Sequence, residues 1–299
     1  MKRAVSISIG SSTRDKAVEL DLLGERIRIE RIGTDGDMEK AARLFEELDG
    51  HVDAFGVGGT DLSIIVDGHV YPLYSVRKLV RLIRKTPYVD GAGLKDTLER
   101  QLAGFVERNL GDQVQPKRVF INVGTDRWGM SSGFAQAGYE CLFGDLMFAL
   151  GINIPLRSLK SVRRLARVLM PIVGRFPFEW LYPTGKEQEK RTPKWGNSFA
   201  WGTVIAGDAL YITRYMPDRL PGKVVVTNTT TPADVELFGQ AGVRSLVTST
   251  PVLEGRSFGT NMMEAALVAI AGKGRPLTSD ELRAMIERLG LQPQLRRLN

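Results

Sequence analysis

Cysteine is almost missing from this chain. Cys141 is its single thiol, and one thiol cannot close an intramolecular disulfide, so a reducing cytoplasm is the expected setting. Histidine is nearly as scarce, with only His51 and His69. Together with one cysteine they are too few for a Cys/His metal site, and no metal is expected. Ser–His–Asp chemistry could run only through those two histidines. No window reaches the roughly 18 uninterrupted apolar residues of a membrane span, so no membrane partner is expected. The opening MKRAVSISIGSS carries too short an apolar stretch for a signal peptide.

What is present suits a soluble globular protein of two domains. The 299 residues can bury a substantial core, and 43% hydrophobic with 25% charged content is ordinary for such proteins. A net charge of +7 favours anionic ligands without choosing among them. The expected division is a mixed α/β domain over 1–115 and a Rossmann-like nucleotide-binding domain over 116–299, with an insertion at about 146–200.

The most informative stretch is KRVFINVGTDRWGMSSGFAQAGYECLFGD, residues 117–145. Val119, Phe120, Ile121 and Val123 read as a strand buried on both faces. A turn over Gly124–Gly129 follows, then a helix through Phe134, Ala135 and Ala137 that Gly138 ends as a C′ glycine. Glu140–Phe143 read as a second strand, closed by Gly144 and Asp145. Strand, glycine turn, helix, strand and acid is the plan of a dinucleotide-binding βαβ unit. Gly124 would allow the tight turn, and Gly129 would let backbone approach the ligand. Thr125, Asp126 and Met130 would line the same turn, where a helix N-terminus offers N–H groups to a pyrophosphate. Asp145 stands 21 residues after Gly124, the place of an acid that binds ribose hydroxyls. Asp126 replaces the second glycine of G-x-G-x-x-G, a charge that would repel phosphate. Cys141 falls in the second strand, as a buried and inert thiol.

Upstream, Val5, Ile7 and Ile9 alternate with Ser6 and Ser8 as in a half-buried strand. Val18–Leu22 and Ile27–Ile29 flank Gly24 as a hairpin, and Asp67-Gly68 marks another. A basic helix over Ser75–Lys85 and a longer one over Leu94–Asn109 complete this half. Downstream, residues 156–170 place Leu156, Leu159, Val162, Leu165 and Ala166 on one helical stripe and arginines on the other. A packed helix with a solvated face is the preferred reading, so no nucleic-acid partner is expected. The proline- and aromatic-rich section around Trp180, Tyr182, Trp195 and Trp201 reads as a lid, a binding wall or a homodimer contact. Two later strands end in hydroxyl and amide clusters. In open α/β sheets ligands lie beyond the carboxyl ends of strands, so Thr227, Asn228, Thr229, Thr248 and Ser249 would face a cofactor. Thr231 reads as a helix N-cap and Thr278 with Glu281 as a capping box.

With these residues in hand, the chain resembles a family of bacterial proteins labelled quinate 5-dehydrogenase. The likeness is clearest at GDLMFALG (144–151), WLYPTGKEQE (180–189), KVVVTNTTT (223–231) and LEGRSFGTNMMEAAL (253–267). The resemblance implies relatives of shikimate dehydrogenase: a substrate domain first, a nucleotide domain second, and hydride transfer to NAD or NADP from the carbon bearing a ring hydroxyl of a small molecule such as quinate or shikimate. It also implies that a lysine and an aspartate share the proton. Lys95, after Gly91-Ala92-Gly93, and Asp61, after Gly58-Gly59, are the candidates, with Asp90 as a substitute for Asp61. Such a lysine would be partly desolvated so that its proton moves near neutral pH. The shikimate dehydrogenase motifs S-x-S-P and P-H-K do not occur, and its G-x-G-G turn is not found in the expected nucleotide domain over 116–299. Two other readings remain open: a methyltransferase using S-adenosylmethionine, with Asp145 on its ribose, and a non-catalytic interaction protein.

Overall fold

The computed structural model describes residues 1–178, 191–249, 252–253, 256–257 and 259–299. Trp180 and Tyr182, and with them the 180–189 stretch, lie outside the described residues, as does part of 253–258. The first half runs β1 (Lys2–Ser8), β2 (Lys16–Leu22), β3 (Glu25–Gly33), α1 (Met38–Leu48) and β4 (Ala54–Gly58). A hairpin of β5 (Ser63–Val66) and β6 (His69–Pro72) leads to β7 (Tyr88–Val89), α2 (Ala92–Arg100) and α3 (Leu102–Leu110). These strands form a five-stranded sheet of order β2-β3-β1-β4-β7, with the β5–β6 hairpin apart. β1 pairs in parallel with both β3 and β4, so it is central. Ser6 and Ser8 are therefore buried along with Val5 and Ile7, where alternation had predicted one exposed face. The helix predicted over Ser75–Lys85 is only a 3-10 turn, Val76–Val80. The one predicted over Leu94–Asn109 breaks at Gln101 into α2 and α3.

The second half runs β8 (Arg118–Ile121), α4 (Trp128–Gln136), β9 (Glu140–Phe143), α5 (Asp145–Leu150), α6 (Leu159–Val173) and α7 (Gly196–Trp201). It continues through β10 (Val204–Ala206), α8 (Ala209–Tyr215), β11 (Val224–Thr227), α9 (Pro232–Gln240) and β12 (Ser245–Thr248). The two-stranded β13 (Val252–Leu253) and β14 (Arg256–Ser257) precede α10 (Thr260–Ala271), α11 (Ser279–Leu289) and β15 (Gln294–Arg297). The second sheet has the order β15-β12-β11-β10-β8-β9. All of its pairings are parallel except that of β15. This is a Rossmann-like, doubly wound α/β sheet, with β8 and β10 side by side where the winding reverses. In such sheets ligands sit beyond the strand ends at that reversal.

The domain boundary differs from the one expected. Residues 116–299 do not form one body, because α10 leaves the second sheet and packs on β1, β3 and β4 of the first. The cause is composition. Met262, Met263, Ala265, Ala266, Leu267, Val268 and Ala269 are all buried, and a helix apolar on every side has no solvent face to offer. It fills the space between the first sheet and α2. The stripe on α6 behaves as predicted for a packed helix: Val162 and Ala166 are buried, while Arg163 meets Asp67 of the β5–β6 turn at 2.7 Å. Among the described residues no helix is long and apolar enough to cross a membrane.

Candidate functional site

Three turns converge at the reversal between β8 and β10. The first follows β4 and carries Asp61. The second opens α2, where Asp90 accepts from Ala92 N–H (3.0 Å) with one oxygen and from Leu62 N–H (2.7 Å) with the other. Asp90 thus ties the Asp61 loop to α2, a structural task that separates it from the role of substitute for Asp61. Glu264 of α10 accepts from Leu94 N–H at 3.0 Å and fixes the same helix start from below. The third turn follows β8 and carries Asp126 and Arg127.

An unbroken chain of ions joins these turns. Lys95 Nζ lies 3.2 Å from Asp126 and 3.7 Å from Asp61. Arg127 contacts Asp126 at 3.1 Å, Glu99 at 2.6 Å, and Asp208 after β10. Asn228 donates to Asp208 at 3.0 Å and accepts from Thr227 Oγ1 at 3.0 Å. Two cations therefore face four carboxylates at low exposure: Arg127 is 6% exposed and Glu99 1%, Lys95 15% and Asp61 26%. A cavity of about 20 Å³, room for about one water, touches Lys95, Glu99 and Asp126. The second oxygen of Glu99 has no hydrogen-bond partner among the described residues.

This excess of acid sets the proton affinities. Burial pushes Asp61 up to about 6, against the pull of Lys95 and with the push of Asp126 and Asp90. Burial disfavours the Lys95 ammonium, but Asp126 and Asp61 outweigh it and hold the amine protonated well above its usual range. Burial acts on Asp126 as well, yet Lys95 and Arg127 keep it below the ordinary carboxyl value. The expectation of a lysine whose proton moves near neutrality is thereby corrected. Asp61 is the group poised to exchange a proton, and Lys95 is a fixed donor beside it. Such a pair can take the proton of a substrate hydroxyl on the carboxylate while the ammonium stabilises the developing oxyanion. Tyr211 and Phe148, rings 5.8 Å apart, border the acidic side, and burial with Asp126 and Asp208 nearby pushes the Tyr211 phenol up to about 12.

The residues expected to hold a dinucleotide are placed otherwise. Asp145 is buried, and its two oxygens accept from Gly124 N–H (3.0 Å) and Thr125 N–H (2.8 Å). Both oxygens are thus engaged by the glycine turn itself, where the dinucleotide and methyltransferase readings alike had placed a ribose. Gly129 lies in the first turn of α4 under α2, where a Cβ would come within 2.3 Å of the Asp96 carbonyl oxygen. Its lack of a side chain serves helix packing. Met130 is fully buried in the core and Asp126 belongs to the ion chain. Thr227 and Asn228 reach that chain through Asp208, whereas Thr229 is exposed and Thr248 ends a strand further from the reversal. The turn as built does not fit a dinucleotide pyrophosphate. Among the described residues no group of three or more His, Cys, Asp or Glu is placed to share a metal ion.

A family model described as Domain of unknown function (DUF8754) matches residues 93–298. The chain belongs to that family. A second model, Domain of unknown function (DUF8753), matches residues 3–90. No curated protein matches this DUF8754 chain. Among solved structures it is similar to a malic enzyme of Entamoeba histolytica, at 11% identity and TM-score 0.38, over 97% of this chain and 70% of the other. A solute-binding protein from Burkholderia multivorans gives 11% identity and TM-score 0.37 over 99% of each chain. A D-lactate dehydrogenase with NAD+ from Lactobacillus jensenii gives 11% identity and TM-score 0.28 over 95% and 93%. The chemistry of the DUF8754 site therefore rests on its own residues.

Four of those residues escaped the sequence reading: Arg127, Asp208, Glu99 and Glu264. A buried arginine looks like any surface arginine in a sequence. The one available signal was Gly207-Asp208 directly after an apolar strand, the same pattern as Gly144-Asp145. Cys141 is buried as expected, and burial pushes its thiol up to about 12.

Proposed function

We propose that this chain is an enzyme acting on a polyhydroxylated small molecule at the sheet reversal, with Asp61 taking the proton of a substrate hydroxyl and the Lys95 ammonium stabilising the oxyanion that forms. The observation that carries this reading is the Lys95–Asp61 contact of 3.7 Å within a buried ion chain, at the place where doubly wound sheets bind ligands. Perturbed titrating groups clustered in such a place mark a candidate functional site. The resemblance to quinate 5-dehydrogenase supports an oxidoreductase working on a ring acid such as quinate or shikimate. NAD or NADP would then supply the hydride acceptor. The glycine turn does not fit the pyrophosphate of that cofactor, so the chemistry assigned to this chain is the proton transfer alone.

The test is nicotinamide absorbance with quinate, shikimate and related ring polyols, each with NAD and with NADP. Turnover with at least one pair is expected, and Asp61→Asn should lower it by about 10²–10⁴-fold without loss of fold. No turnover with any pair, and no binding of either cofactor at millimolar concentration, would end the dehydrogenase reading. One observation favours a second reading. The occupied glycine turn suits proton transfer without a nicotinamide, as in an isomerase or dehydratase of the same substrate class. Deuterium uptake from heavy water into a ring ketone, lost in Asp61→Asn, would identify it.

A further inference from the structure

The glycine turn after β8 is already occupied by a carboxyl of the protein itself, which burial pushes up and the Thr125 and Gly124 amides pull back down. Asp145 is 2% exposed, and its two carboxylate oxygens each take one of the successive N–H groups of Gly124 and Thr125. Those amides are among the donors that a phosphate ester uses when it binds at a strand–glycine–helix turn. The helix that follows is closed as well, because Trp128, Gly129 and Met130 of its first turn are buried and Gly129 is pressed against Asp96. A ligand phosphate would have to displace one carboxylate and lie beside a second, that of Asp126.

The same turn has another use. Immediately after the two locked amides come Asp126 and Arg127, whose side chains supply the centre of the ion chain to Lys95, Glu99 and Asp208. Charge-assisted bonds from a carboxylate to two adjacent amides hold a turn more firmly than neutral ones would. We infer that the Asp145 carboxyl has two consequences: it closes the Gly124–Thr125 turn to phosphate esters, and it positions Asp126 and Arg127 in the ion chain around Lys95. Asp145 is thus a positioning residue. The second consequence rests on the proposed proton transfer to Asp61 beside Lys95, whereas the first stands without it.

Amide spectra of the full-length, nitrogen-15-labelled chain test the closure directly. Pyrophosphate, NAD and NADP are titrated in turn to millimolar concentration, and the Gly124 and Thr125 amides are followed. They should stay in place. Shifts confined elsewhere support the closure, for instance in the groove of about 470 Å³ lined by Arg118, Trp201, Lys223 and Arg244 at the opposite end of the strands. Saturable movement of the Gly124 and Thr125 amides overturns it. Silent amides with dehydrogenase turnover keep both this inference and the proposed function. Silent amides without turnover keep the inference and remove the dehydrogenase, and moving amides with turnover do the reverse.

The positioning half is read from Asp145→Asn, which keeps one acceptor oxygen and removes the charge. With cooperative unfolding retained, the Asp61 carboxyl titration should leave its position near 6 as Asp126, Lys95 and Arg127 rearrange around it. An Asp61 titration that does not move overturns the positioning role. Hydrogen exchange in the unaltered chain covers the case in which Asp145→Asn fails to fold. Gly124 and Thr125 should exchange as slowly as the amides of β8, and fast exchange at both refutes the lock.

Discussion

Helix α2 is held in opposite ways on its two sides. Toward α10 the contact is dry. Gly91 backs onto the backbone of Asn261, where a Cβ would stand 2.5 Å from the nitrogen, and Glu264 of α10 accepts from the Leu94 N–H at the start of α2. Toward α4 the contact is ionic, with Glu99 against Arg127 at 2.6 Å and Lys95 against Asp126. Glu99 and Glu264 are both almost wholly buried. Burial raises both; Arg127 opposes the rise at Glu99, and peptide dipoles from Leu94 and Gly93 oppose it at Glu264. A carboxyl can thus be kept inside a protein in two ways. One relies on a cation and fails if the cation is lost. The other relies on dipoles and fails as pH rises.

Arg127→Leu should break the ionic side most severely. It leaves Glu99 and Asp208 without their guanidinium, and stranding a buried charge costs about 3–5 kcal/mol. Urea unfolding measures the loss, and a loss below about 1 kcal/mol would mean that the acids simply take up protons. On the dry side the lever is pH. Glu264 is pushed from 4.5 up to about 7, so between those values the folded chain holds a proton that the unfolded chain has released. Its contribution to stability is full below about pH 4 and disappears as pH rises through about 7, worth roughly 3 kcal/mol. Glu264→Gln should therefore gain on the parent steadily as unfolding is repeated from acid to neutral pH. A constant difference would show that Glu264 titrates normally.

Smaller effects sharpen the comparison. Gly129→Ala places a methyl 2.3 Å from the Asp96 oxygen and should cost about 1–3 kcal/mol. Gly91→Ala, at φ +91° and equally tight, should cost at least as much. If Gly129→Ala melts like the parent, the ionic side yields where the dry side does not. Thr278→Ala removes the capping box of α11, away from both contacts, and should cost about 1 kcal/mol at any pH. A pH-dependent loss there would undercut the assignment to Glu264.

Local chemistry was the legible part of the sequence. Thr231 caps its helix as read, Thr278 does so with the reciprocal bonds that its spacing from Glu281 announced, and the β8 and β9 strands lie where the apolar runs put them. Gly138 adopts φ +79° just past α4. What failed was the identity of a glycine's neighbour. Gly129 admits close backbone, and nothing in the turn says whether that backbone is a ligand's cradle or a neighbouring helix. Asp145 stands at the right distance for a ribose, yet the turn 21 residues earlier is as near to it in space. Lys95 and Asp61 were singled out from their glycine contexts, and the fold brings them within 3.7 Å of each other. Their electrostatics depended on Arg127, Glu99 and Asp208, which only long-range folding assembles. The apolar helix α10 was assigned to the wrong sheet for the same reason, since periodicity shows that a helix is buried but not against what.

The position of α10 has a consequence for how the chain is made. β1, β3 and β4 leave the ribosome well before α10, yet their apolar face is covered by that helix. Contacts across so long a separation form late and slow folding. Until Thr260–Ala271 has been synthesised, Ala4, Ile27, Ile29 and Ala54 have no lasting cover. Nascent chains of this design pass through a long interval in which a finished-looking sheet is still sticky, so chaperone demand should be set by the distance between the first strand and the last buried helix.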